Sequence, residues 1–184
     1  MPDAQHENQE LQKEERSAFV HLHVHSHYSL LEALPSPKAI VARAKEQGMD
    51  AIALTDNGSM YGAVEFYEAC EAEGIKPIIG LDMYIAPNRM TDKRPRVDDK
   101  PFRLTLLAEN ETGYKNLLQI TTGGFLEGFY YKPRVDHEYL KHRTDGVIAL
   151  SGGMFGEIGS ALNYDDPEKA ERIAGAWEQH EDPS

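Results

Sequence analysis

The chain reads as an α/β protein assembled from βαβ units. Short apolar runs at Ala51–Thr55, Ile75–Ile85, Phe102–Ala108 and Gly146–Leu150 alternate with stretches of helical periodicity. Helix-start and helix-stop residues punctuate those stretches, and 184 residues suit one domain with a real core. Strands separated by helices of this length imply a parallel sheet, without deciding between an open doubly wound sheet and a barrel.

Taken in order, Met1 to Arg16 carries Asp3, Glu7, Glu10, Glu14 and Glu15 with almost no large apolar side chain, and is read as an acidic disordered leader. The domain is then expected over Ser17 to Ser184. A first strand is expected over Phe19–His25. Ser36-Pro37 supplies a cap and a first-turn proline for a helix that turns Ile40, Val41 and Ala44 inward and stops at Gly48. Ala51–Thr55 is a buried strand leading into the polar turn Asp56-Asn57-Gly58. Met60 to Glu73 is a helix with Val64, Tyr67 and Cys70 at helical spacing, closed by Gly74. Ile75–Ile85 and Phe102–Ala108 are strands, joined by an exposed, charged excursion from Pro87 to Pro101. Asn110 caps a helix through Ile120, Gly146–Leu150 is a fifth strand, and helices follow near Phe155–Leu162 and Pro167–Gln179. Gly123-Gly124 and Gly152-Gly153 match no phosphate-loop pattern and are read as turns.

Composition narrows the chemistry. The net charge is −12, from 31 acidic against 19 basic residues, so the overall field repels a nucleic-acid backbone. No apolar run reaches membrane-span length, the N-terminus is not a secretory signal, and a single cysteine, Cys70, excludes an intramolecular disulfide. Together these favour the cytoplasm. One cluster, Tyr130, Tyr131, Lys132 and Arg134, mixes aromatic and basic side chains and suits either base stacking or packing against another protein surface.

Four of the eight histidines fall in Val20-His21-Leu22-His23-Val24-His25-Ser26-His27. On a strand they share one face, with Val20, Leu22 and Val24 on the other. Imidazoles gathered this way need water, polar partners or a metal, since a neutral ring still has a donor and an acceptor to satisfy. An H-x-H pair near a strand end is a ligand candidate; the ordinary alternative is a polar, hydrated barrel mouth.

The flanking residues make the pattern specific. Phe19-Val-His-Leu-His-Val-His-Ser-His-Tyr-Ser-Leu-Leu31, Ala53-Leu-Thr-Asp-Asn-Gly58, Gly74-Ile-Lys-Pro-Ile-Ile-Gly80, Leu104-Thr-Leu-Leu-Ala-Glu-Asn-Glu-Thr-Gly-Tyr114, Phe125-Leu-Glu-Gly-Phe-Tyr-Tyr-Lys-Pro-Arg134 and Ala149-Leu-Ser-Gly-Gly153 occur in that order. They closely resemble the start of bacterial DNA polymerase III alpha subunits. The resemblance implies a PHP domain, a distorted (β/α) barrel that is incomplete here because the last strands are lacking. It also implies a site where histidines, carboxylates and a cysteine hold a cluster of divalent metals.

Measured against that ligand set, His23 and His25 match the first pair. Glu32 and Asp82 keep a carboxylate, each with altered reach. Asn57 stands for a histidine, Arg103 for another, and Gly153 for the cysteine. A guanidinium beside a cation costs on the order of 4 kcal/mol at about 4 Å and an effective dielectric of about 20. The expectation is therefore either no metal or one weakly held Zn, Mn or Mg ion on His23, His25, Glu32 and Asp82, helped by Asp56 and His27. A multinuclear cluster is not expected. Arg103 is expected to pair with Asp82 or Glu32 in the metal's place. The implied role is a DNA-replication scaffold whose partners are the remainder of the polymerase and the proofreading exonuclease subunit. It would meet DNA only through the full polymerase and would not touch a membrane. The alternative is a metal-dependent phosphoesterase or 3′–5′ proofreading exonuclease.

Overall fold

The computed structural model describes residues 19–178, so the acidic leader expected over Met1–Arg16 lies outside the described residues. The described elements are α1 (Pro37–Glu46), β1 (Ala51–Leu54), α2 (Ala63–Glu73), β2 (Lys76–Ile85), β3 (Phe102–Ala108), α3 (Glu111–Leu126), β4 (Arg134–Val135), α4 (His137–Leu140), β5 (Val147–Leu150), a 3-10 turn (Gly153–Phe155), α5 (Glu157–Asn163) and α6 (Pro167–Glu178). The α/β class holds, but the sheet is mixed rather than all parallel. β1 and β4 both run parallel to β2 along one edge, β3 runs antiparallel along the other, and β5 pairs antiparallel with β3. Among the described strands β3 alone is reversed. The Pro87–Pro101 loop returns the chain without a crossover helix, so nothing forces β2 and β3 to be parallel.

Local chemistry explains most boundaries. The Ser36 hydroxyl accepts from the Ala39 amide, with Pro37 in the first turn, and α1 buries Ile40, Val41 and Ala44 as its periodicity predicts. The Asn110 side chain accepts from the Gly113 amide to start α3. α2 starts later than expected and is rotated: Ala63, Phe66 and Cys70 are buried while Val64 and Tyr67 are exposed. Phe66 is the bulkier anchor, and it draws its own face inward. Burial in this apolar layer pushes the Cys70 thiol up to about 11. Gly123 and Gly124 are not a turn; they lie inside α3, where a side chain would run into Tyr139 and Met83. Gly152-Gly153 is the expected turn, with both residues at positive φ.

Alternation gives the sheet two different faces. Leu81, Met83, Ile85, Leu104 and Leu106 pack with Leu117, Ile120 and Val135, while Ile52 and Leu54 pack with Val41, Phe66 and Cys70 from the first two helices. This is the helix-covered layer. The opposite face carries the polar residues described below.

The excursion from Pro87 to Pro101 is only partly exposed, because Met90 and Asp98 are buried. Arg134, wholly buried, donates to the carbonyls of Gly128, Asp98, Met90 and Asp92. It therefore anchors this loop from inside, and it meets the aromatic-basic cluster as a buried member, its guanidinium 5.1 Å from the centroid of the Tyr130 ring. Asp136 adds a second anchor by accepting from the Met90 amide.

α4 and α5 are tied by His137, whose Nε2 lies 2.8 Å from Glu157 Oε2. The Glu157 hydrogen bond raises the imidazole above its ordinary 6.5, against a smaller opposing effect of burial. A raised folded value means that the pair's full contribution is present below pH 6.5 and is lost as pH rises through the folded midpoint. An NMR titration is expected to place the His137 midpoint above 6.5, and His137→Gln is expected to flatten the corresponding slope of stability against pH.

Candidate functional site

Asp82 sits in β2 on the face away from the helices and is 2% exposed. Its neighbours follow from register. The offset pairing Leu54 with Ile79 continues past the end of β1 and places Asn57 opposite Asp82. On the other edge Thr105 is opposite Asp82 and Arg103 opposite Tyr84. Opposed residues share a face, as do residues two apart along a strand, so Asn57, Asp82, Tyr84, Arg103 and Thr105 form one surface.

The histidine segment closes this surface, but not as a regular strand. The Ala53 amide donates to the His21 carbonyl and the Thr55 amide to the Val24 carbonyl. Three steps on one side face two on the other, and the Thr55 hydroxyl receives the Val24 amide in place of a backbone acceptor. This bulge-like mismatch breaks the strict alternation expected of Phe19–His25. The four imidazoles consequently separate: His21 packs on Phe19 and His27 on Tyr28, while His23 and His25 converge.

His23 Nε2 is 3.0 Å and His25 Nε2 3.5 Å from Asp82 Oδ2, and the two ring nitrogens lie 3.1 Å apart. Their ligand atoms all fall within 4.8 Å of one another, a donor set suited to one divalent ion. The same Asp82 oxygen, however, accepts from Arg103 Nη2 at 2.5 Å and Nε at 3.0 Å. Arg103 Nη2 also donates to Asn57 Oδ1, its Nη1 lies 3.8 Å from Glu32 Oε2, and its guanidinium covers the Tyr84 ring at 4.7 Å. Asn57 Nδ2 in turn donates to Glu32 at 2.6 Å. Burial alone would raise the Asp82 carboxyl. Hydrogen bonds from His23 and His25 and the Arg103 charge outweigh it and hold the group well below the usual carboxylate range.

The chemistry of this donor set decides what fits. Two imidazoles and a carboxylate face one point, but a fixed positive charge already binds the oxygen they share. Among the described residues the remaining ligand positions are otherwise engaged: Asn57 is neutral and bound to Arg103, Glu32 is bound to Asn57, and Gly153 contributes no side chain to the turn beside β3. Asp56 and His27, expected to assist, do not. Asp56 is turned inward to accept from the Ser26 amide and the Ser26 and Ser29 hydroxyls. Sequence reasoning missed Tyr84 and Thr105, which brace Arg103 and Asp82; alternation counted from those two residues points to both.

A family model for the PHP domain matches residues 21–182. The chain is 44% identical over 160 residues to a DNA polymerase III subunit alpha of Treponema pallidum, covering 86% of this chain and 14% of that protein. It is 39% identical over 166 residues to the corresponding protein of Helicobacter pylori, covering 90% of this chain and 14% of that one. It thus spans about one seventh of the length of such relatives. A solved amidohydrolase structure from Chromobacterium violaceum superposes with a TM-score of 0.40 at 22% identity, over 58% of this chain and 34% of that one. No helix among the described residues is long and apolar enough to cross a membrane. The match across almost all of the described fold shows that the chain belongs to the PHP domain family.

Proposed function

We propose that this chain is the N-terminal PHP segment of a replicative DNA polymerase III alpha subunit, acting as a scaffold with a degenerate metal site inside the bacterial cell. The observation that carries this reading is the Arg103 guanidinium seated on Asp82 Oδ2, the oxygen nearest both histidines. A divalent ion on His23, His25 and Asp82 would supply a hydroxide near neutral pH and a clamp for phosphate oxygens. A guanidinium supplies neither the coordination nor the bound water. What remains is a cross-brace joining β2, β3, the Asn57 turn and the histidine segment. Polymerisation belongs to another part of the polymerase, DNA is met only through that part, and the proofreading exonuclease subunit is a candidate partner.

The His23–His25–Asp82 group also favours a second reading, a metal-dependent phosphoesterase or 3′–5′ exonuclease. Metal content and nuclease activity separate the two. The purified chain is expected to hold less than stoichiometric Zn, Mn or Mg and to leave single-stranded DNA intact. Stoichiometric metal, with chelator-sensitive degradation lost in His23→Ala and His25→Ala, would overturn the scaffold reading. Arg103→His is expected to tighten divalent-ion binding by at least about tenfold, since it removes a like charge worth on the order of 4 kcal/mol before relaxation.

A further inference from the structure

The loop from Ser26 to Pro35 shows apolar side chains to solvent in a way the metal-site residues do not explain. Leu30, Leu31 and Leu34 are 80%, 107% and 93% exposed, and Leu31 holds the left-handed φ of 67° that a leucine seldom adopts. The loop is tightly organised. The His27 amide donates to the Pro35 carbonyl, closing its ends, and the Ser29 carbonyl receives the amides of both Glu32 and Ala33. Asp56, beneath it, receives the Ser26 amide and both serine hydroxyls at 2.6–2.7 Å, and the Ser29 hydroxyl receives the Asn57 amide. Tyr28 is fixed on the far side by its hydroxyl bond to Glu65. A buried carboxylate, two serines and a strained residue thus hold three leucines outward.

We infer that Leu30, Leu31 and Leu34 form a preorganised knob that seats in an apolar cleft of the same polypeptide, in the part of the polymerase beyond this PHP segment. The inference rests on the proposed polymerase reading. Two observations select this occupant over others. The matched relatives are about seven times as long as the matched region, so on the polymerase reading a cleft in the rest of the polypeptide would be tethered at an effective concentration that lets a small apolar contact form. A net charge of −12 opposes both a second copy of this chain and an anionic lipid surface. Because the loop is already ordered, docking sacrifices little conformational freedom, and burying the knob removes the least satisfied surface near the site. Glu32 lies between these leucines and reaches Asn57, so the seated knob also shields the Arg103 cross-brace from solvent.

The test compares thiol labelling of Leu34→Cys in this chain and in the full-length polypeptide, read by peptide mass spectrometry with buried Cys70 as the internal slow-reacting reference. Maleimide is expected to label Cys at position 34 freely in the short chain and at least about tenfold more slowly in the full-length polypeptide, as burial of a reactive side chain requires. Leu30→Glu is expected to restore fast labelling in the full-length protein while leaving the melting temperature of the short chain unchanged. Equal labelling rates in both proteins would overturn the inference. So would protection that develops only on adding a separate protein, or that rises with concentration of the short chain. Primer extension by the full-length polypeptide is measured alongside. Its absence would count against the polymerase reading, while the labelling comparison reports on the docking itself.

Discussion

Arg134→Met is expected to destabilise the folded chain by about 3–5 kcal/mol, read as a lowered urea midpoint with the slope unchanged. Arg134 is among the largest fully buried side chains, and burial lowers its guanidinium from its ordinary value against the opposing charges of Asp98 and Asp92 nearby. Its guanidinium is spent on backbone, reaching the carbonyls of Gly128, Met90, Asp92 and Asp98 at 2.6–3.1 Å. Methionine fills a similar volume, so the expected loss comes chiefly from acceptors stranded away from water, at roughly 1–3 kcal/mol each before relaxation. Three of those carbonyls belong to the loop between β2 and β3. The substitution should therefore free that loop first, seen as proteolytic cleavage between Asn88 and Lys100 ahead of global unfolding. Arg134→Lys is expected to recover only part of the loss, because an ammonium cannot span acceptors arranged for a planar fork.

The second large effect is expected at Asp82→Ala, about 3 kcal/mol of lost stability by thermal or chemical denaturation. The carboxylate gathers His23, His25, Arg103 and the Thr105 hydroxyl, and its removal leaves a half-buried guanidinium without its main counter-charge. The diagnostic comparison is the double variant Asp82→Ala with Arg103→Met. If the uncompensated charge dominates, the double variant should be more stable than Asp82→Ala alone, and the coupling should exceed about 1 kcal/mol. Additive losses would mean that Asp82 acts mainly through the histidines instead.

Much of this architecture can be read from local chemistry. Ser36-Pro37 and Asn110 are helix caps by residue type alone, and the run from Phe102 to Ala108 coincides with β3. The reversal of β3 is not legible in the same way, because strand direction depends on how the loop after β2 is anchored, and the Arg134 anchor lies far along the chain. The helical face of α2 was misjudged for a related reason. Periodicity admits two adjacent faces, and the fit of Phe66 against Val41 and Ile52 selects between them. At the site, the pairing of Arg103 with Asp82 could be anticipated from charge and resemblance. The bulge that parts His21 and His27 from His23 and His25 could not, since it depends on the Thr55 side chain taking a backbone role. Asp56 was expected to assist the residual ligand set, but its carboxylate is taken up by hydrogen bonds from Ser26 and Ser29. Its real partners, Ser26 and Ser29, are roughly thirty residues away in sequence, and only the fold brings them into reach.

A positive charge attached to the polypeptide differs from a bound ion in its supply. Arg103 cannot be chelated, exchanged or starved from the medium, and its guanidinium keeps its proton throughout the range in which proteins stay folded. On the scaffold reading, the corner where β2, β3 and the histidine segment meet is expected to assemble from the chain's own charges, without drawing on the cell's traffic in zinc or manganese. The integrity of such a cross-brace is expected to be indifferent to a chelator that would strip a metal-built counterpart.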